Sequence, residues 1–124
     1  MANSAEAIAV AAIKPLVDNG DGTFRCYPDE APANVQRPYV VYQSAGGKSA
    51  SYLNETVSAQ QNTRLQVAVW ADDRMTANAI MKDIIAALCV PPINATSMGA
   101  PASARDFDTK LYGSRLDFSI WFTP

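Results

Sequence analysis

Two stretches of strict alternation constrain this chain more than anything else in it. Between Thr63 and Ala71, Leu65, Val67 and Val69 point one way; Arg64, Gln66 and Ala68, joined by Trp70, point the other. Between Ser114 and Thr123, Leu116, Phe118, Ile120 and Phe122 share one face, and Asp117, Ser119, Trp121 and Thr123 the opposite one. Side chains alternate along a strand with period two, so each stretch reads as a strand with one buried and one wet face. Such strands suit an antiparallel sheet covered on one side. The cover is written between them. Ala77, Ile80, Met81, Ile84, Ile85 and Leu88 recur at helical spacing, Asp72 or Asp73 is placed to cap the N-terminus, and Pro91-Pro92 ends the run. Burying Ile80, Ile84 and Leu88 would stabilise the fold by roughly 1.5–3 kcal/mol each.

The remaining elements follow from local chemistry. Asn3 or Ser4 can cap a first helix with apolar positions Ile8, Ala9, Ala12 and Ile13. Pro15 predicts a kink or an end near Ile13, with one further turn to Val17. Asp18-Asn19-Gly20-Asp21-Gly22 is a turn by composition. Thr23 to Tyr27 reads as a short strand, and Tyr39 to Gln43 as a strong one opened by Pro38. Asn94 to Arg105 reads as a weak strand with Ile93 and Met98 inward. Asp106–Tyr112 and Ser114–Thr123 read as a hairpin around Gly113. The expectation is an α+β fold: an antiparallel sheet with two helices packed on one face, in the order α-β-β-β-α-β-β, with one extra weak strand. Its 124 residues, 48% of them hydrophobic, suit a single domain over residues 1–124 that needs no metal or disulfide to fold.

Residues from about 45 to 61 stand apart. They are small and polar, with Gly46-Gly47 and only Tyr52, Leu53 and Val57 as apolar anchors. Fixing the ~15 residues from Gly46 to Gln60 would cost on the order of 15–30 kcal/mol of backbone entropy. The expectation is a long mobile loop or hairpin that orders only against neighbouring subunits or another partner.

Composition excludes several kinds of chemistry. The chain has no histidine, which removes the commonest general base and metal ligand. Its net charge of −2 does not suit a protein that neutralises many phosphates. Gly47-Lys48-Ser49 lacks the earlier glycine of a phosphate loop, since Tyr42 occupies that place. Read as a calcium loop, the Asp18–Gly22 turn would put Val17 and Pro28 at positions that need acidic ligands. Asp29-Glu30 and Asp72-Asp73 read as caps and solvated charge. Cys26 and Cys89 read as two buried, reduced thiols, with a single disulfide as the alternative. No run approaches the ~20 apolar residues that span a bilayer. The expectation is no catalytic residue, no cofactor, no metal site, no membrane partner and no sequence-specific nucleic acid.

A family resemblance supplies the function. The N-terminal helix is followed by Phe24-Arg25-Cys26-Tyr27-Pro28, then by Arg37-Pro38-Tyr39-Val40-Val41-Tyr42. Leu65-Gln66-Val67-Ala68-Val69-Trp70-Ala71 leads to the helix from Thr76 to Leu88, and Tyr112-Gly113-Ser114-Arg115-Leu116-Asp117-Phe118-Ser119-Ile120-Trp121 closes the pattern. In this order the chain resembles the small tail completion, or tail terminator, proteins of long-tailed bacteriophages and prophages. The resemblance implies a structural virion protein that forms a ring, of six copies by expectation, at the head-proximal end of the tail tube. There it would end tube growth and offer the head-tail joining surface. Its implied partners are itself, the tail tube protein and a head connector or neck protein. It would act in the host cytoplasm during assembly and in the virion tail, and the isolated protein would be largely monomeric. The alternatives are another neck or head-closure protein of related fold, or a soluble adaptor unrelated to phage. The expected subunit and tail interface comprises Lys48, Tyr52, Leu53, Glu55, Trp70 and Trp121.

Overall fold

The computed structural model describes residues 4–47 and 60–123. Its elements run α1 (Ala5–Ile13), a 3-10 turn (Lys14–Val17), β1 (Cys26–Pro28), β2 (Tyr39–Ser44), β3 (Gln61–Ala71), α2 (Arg74–Leu88), β4 (Thr96–Ser97), β5 (Ala102–Asp106) and β6 (Leu111–Phe122). The fold is α+β, with one six-stranded sheet in the order β1-β2-β3-β6-β4 and β5 also paired to β6.

The two alternating stretches form the central pair. β3 and β6 run antiparallel from Gln61 opposite Phe122 to Ala71 opposite Tyr112. That register sets Leu65 against Phe118 and Val67 against Leu116, so the apolar faces of both strands coincide. β2 flanks β3, with Val40 opposite Val69. Ala5, Ala9 and Ile13 of α1, Ala77, Met81, Ile84 and Leu88 of α2, and these strand residues join one hydrophobic core. Ile80 and Ile85 pack at its margin.

Both helix starts use the expected caps. Ser4 accepts from the Ala7 amide, and Asp73 accepts from the Thr76 amide at 2.8 Å. Each satisfies an amide that has no partner within the helix. α1 ends at Ile13, and Lys14–Val17 tighten into the 3-10 turn at Pro15.

Four expectations are corrected. The sheet is mixed, not antiparallel throughout, because β1 pairs parallel to β2. A long connection through residues 29–38 returns the chain along the same direction, which a tight hairpin cannot do. β1 itself begins at Cys26, whereas Phe24 bridges back to Asp18. The hairpin turn lies at residues 107–110, and Gly113 sits inside β6. The Asp106 carboxylate accepts from the Asp108 and Thr109 amides, and Lys110 takes a positive φ of 63°, so the Asp-rich segment makes the turn. Finally, Met98 is exposed, because the weak strand breaks after Ser97 and resumes at Ala102. Cys26 and Cys89 are both free and half-buried.

Candidate assembly surfaces

The β3–β6 pair has a second face. Arg64, Gln66, Ala68 and Trp70 alternate away from the core, as do Gly113, Arg115, Asp117, Ser119 and Trp121. This face is polar at its centre. Arg64 and Asp117 pair across the strands at 2.6 Å, and the Gln43 amide donates to Gln66 at 2.9 Å. Such pairs set register more than they stabilise, since partly exposed ion pairs contribute ~0–1 kcal/mol.

Trp70 and Trp121 share this face but stand at opposite ends of it. Trp70 lies opposite Gly113, and Trp121 opposite Asn62. Eight residues of strand separate the two positions, about 27 Å at ~3.4 Å per residue. They do not form one site.

Trp70 lies flat over a glycine. A Cβ at Gly113 would stand 2.8 Å from Cζ3 of the Trp70 ring. The ring therefore needs the space that only glycine leaves. Tyr39 is opposite Trp70, and Tyr27 meets Tyr39 edge-to-face with ring centroids 6.4 Å apart. The Tyr39 phenol is raised above its ordinary pKa, first by burial and then by the nearby Asp106 carboxylate.

Trp121 opens instead onto solvent. It borders a groove of about 340 Å³ together with Ile8, Pro92, Ile93 and Phe122. Beside it, Asn62 donates to the Ser119 hydroxyl at 2.9 Å and to the Ile120 carbonyl at 3.2 Å. Gly47 presses against the backbone here, where an added Cβ would fall 2.2 Å from the Asn62 carbonyl oxygen. Lys48, Tyr52, Leu53 and Glu55 lie outside the described residues. Gly47 and Gln60, the described residues on either side, both lie at the Trp121 end of the sheet.

The sequence reading missed other exposed side chains. Met75 is 84% exposed and Phe107 76%, and both belong to the Trp70 end, at the start of α2 and in the β5–β6 turn. Val90 and Trp121, 46% and 45% exposed, belong to the other end, and Met98, 44% exposed, stands level with the middle of β6, its amide donating to the Asp117 carbonyl. A signal for Phe107 was present: an aromatic residue between Asp106 and Asp108 in a turn has no core to enter. Among the described residues, no group of His, Cys, Asp or Glu could hold a metal ion, and no helix is long and apolar enough to cross a membrane.

The described residues thus form an α+β domain whose sheet buries one face, keeps the other polar at its centre and carries exposed large apolar side chains towards both ends. The chain belongs to the tail completion protein gp17 family, whose model matches residues 5–123. It is thus a structural component of a phage tail. A chain in the solved virion of a native gene transfer agent particle shares the fold, with a TM-score of 0.59 at 16% identity. The match covers 94% of this chain and 85% of that one. No match is found among curated proteins.

Proposed function

We propose that this protein forms a ring at the head-proximal end of the tail tube, where it ends tube growth and offers the surface that joins the head. Six copies are the expected number, and assembly takes place in the host cytoplasm. One observation of this structure carries the reading: four of the five exposed large apolar side chains among the described residues lie towards the two ends of the sheet. A subunit between a tube and a neck needs two different apolar patches facing opposite ways. Met75 and Phe107 supply one, and Val90 and Trp121 the other. Large apolar side chains left exposed at an end of the sheet are what a protein partner would cover. The family supports a tail role, and it offers no reaction to set beside it.

The test is to add the purified full chain to tail tubes of the same phage and to image the ends. The expected result is a ring at one end only, with elongation halted. Trp121→Ala and Phe107→Ala should each block one junction, one to the tube and the other to the neck. Tubes that keep growing in the presence of the wild-type chain would move the reading to a neck or head-closure joint.

A further inference from the structure

Two buried side-chain polar atoms lack a hydrogen-bond partner among the described residues: Nη1 of Arg105 and Oγ of Ser114. They are not scattered. Arg105 lies opposite Tyr112 and Ser103 opposite Ser114, so both atoms belong to the same short length of the β5–β6 pair. α2 runs alongside. Arg74, Asn78 and Lys82 recur every four residues on it and form one stripe about 12 Å long at ~1.5 Å per residue. Asn78 and Lys82 line a cavity of about 390 Å³ with Ser103 and Ser114. At the end of the stripe, Arg74 and Arg105 both sit on the Tyr112 ring, at 5.4 and 3.8 Å from its centroid.

The result is a groove between α2 and the outer strand of the sheet, rich in donors and in positive charge. Lys82 lines it, and Arg74 and Arg105 stand on the Tyr112 ring at the end of the stripe. None of these three cations makes an ion pair among the described residues. The nearby acids Asp73 and Asp106 are engaged elsewhere, Asp73 with the α2 cap and Asp106 with the β5–β6 turn. A buried guanidinium N–H and a buried hydroxyl without acceptors are costly to leave unmade. A carboxylate suits the guanidinium, from which it accepts two bonds at once, and any oxygen acceptor suits the hydroxyl.

We propose that this groove is the lateral contact of the ring and that it receives the β1 edge of a second copy, led by Asp29 and Glu30. The inference rests on the ring reading above. Asp29 and Glu30 follow β1 on the opposite edge of the same sheet, are exposed, and make no ion pair among the described residues. Groove and acidic edge thus lie on opposite sides of one subunit. Each copy can fill its neighbour's groove while its own is filled, which is the head-to-tail contact that closes into a ring. The outer side of β5 pairs with no strand among the described residues, so backbone groups are open there to an extended segment.

The experiment reads assembly of the full chain by light scattering, alone and on tail tubes, for the wild type, Lys82→Glu, Glu30→Lys and the chain with both changes. Lys82 and Glu30 are exposed, so folding, checked by circular dichroism, is retained. Each single variant is expected to weaken assembly roughly tenfold, and the double variant to recover it, because the charges are exchanged. Arg105→Gln should weaken assembly without recovery. Single variants that assemble like the wild type would overturn the groove while leaving the ring standing. A double variant no better than the singles would also overturn it, by assigning the acid to a different protein. A wild-type chain that neither self-associates nor caps tubes would sink the ring reading and the groove together.

Discussion

Replacing Gly113 by alanine isolates one packing relation. The new Cβ would stand 2.8, 3.0 and 3.1 Å from Cζ3, Cε3 and Cη2 of Trp70. Ordinary carbon contacts lie near 3.5–4.0 Å, so the ring must lift by roughly 1 Å or the strands must part. Overpacking of this kind costs about 1–3 kcal/mol. Opposing it is the gain from removing a strand glycine, roughly 0.5–1 kcal/mol. The net expectation is a loss of about 0–2.5 kcal/mol, centred near 1. For a domain near this size each kcal/mol moves the midpoint by roughly 3–6 °C, so Gly113→Ala should melt roughly 3–6 °C lower. The assay is thermal unfolding followed by far-ultraviolet circular dichroism, which does not depend on Trp70 as a probe. The decisive arm is the cycle with Trp70→Ala. In that background the clash is gone, and Gly113→Ala should be neutral or stabilising. Equal destabilisation in both backgrounds would refute the reasoning, because the cost would then lie in the backbone and not under the ring.

Two further predictions concern ionisable groups. The Asp73 carboxyl is held below the ordinary carboxylate range by its bonds from the Thr76 amide and hydroxyl. Its folded pKa lies below its unfolded one, so its stabilisation is present above about pH 4 and is lost as pH falls through the folded value. Asp73→Asn keeps a capping oxygen but does not titrate, so acid unfolding should show a weaker pH dependence; an unchanged profile would contradict this. Burial pushes the Cys26 thiol up to about 11, against a smaller opposing effect of Lys14. Only about one thiol in a thousand is then ionised at pH 8, so Cys26 should react with iodoacetamide on the order of a hundredfold more slowly in the folded chain than in urea. Rapid labelling of the folded protein would contradict this.

The parts of the fold with strong periodicity were legible in the sequence. Leu65-Val67-Val69, Leu116-Phe118-Ile120 and the α2 face from Ala77 to Leu88 each carry a pattern that one period explains. Ser4 and Asp73 were legible because capping needs one side-chain oxygen at one place. Gly113 misled, because a glycine between two strand-like runs reads as a turn. Its use, to admit an indole from the neighbouring strand, depends on a register that no local pattern encodes. The parallel partner of β1 was hidden for the same reason: three residues carry no direction. The residues of the candidate surfaces stood out in the sequence only in part. Trp121 could be singled out for lying off the apolar face of its strand. Arg74, Asn78, Lys82 and Arg105 could not, because what makes them notable is their place beside β5 and, for the three cations, the lack of an ion pair among the described residues, and both are set by the tertiary fold.

The register of the central pair also bears on how the chain reaches its fold. Gln61 is opposite Phe122, and Val67 is opposite Leu116, so the strand at the middle of the sheet is the last of the elements in chain order. Nearly every pairing that organises the core spans tens of residues. Contacts of such wide sequence separation repay the closure of long loops only late, and chains of this kind fold in about milliseconds to seconds where helical bundles take microseconds. During synthesis, β2, β3 and both helices emerge before Leu116, Phe118 and Ile120 arrive to complete the core. Until then the apolar side of β3 has no strand beside it, and a nascent or truncated chain is the species most exposed to sticking. A ribosome that stalls between Leu88 and Leu111 would release a product with both helices and half a sheet, unable to hold either.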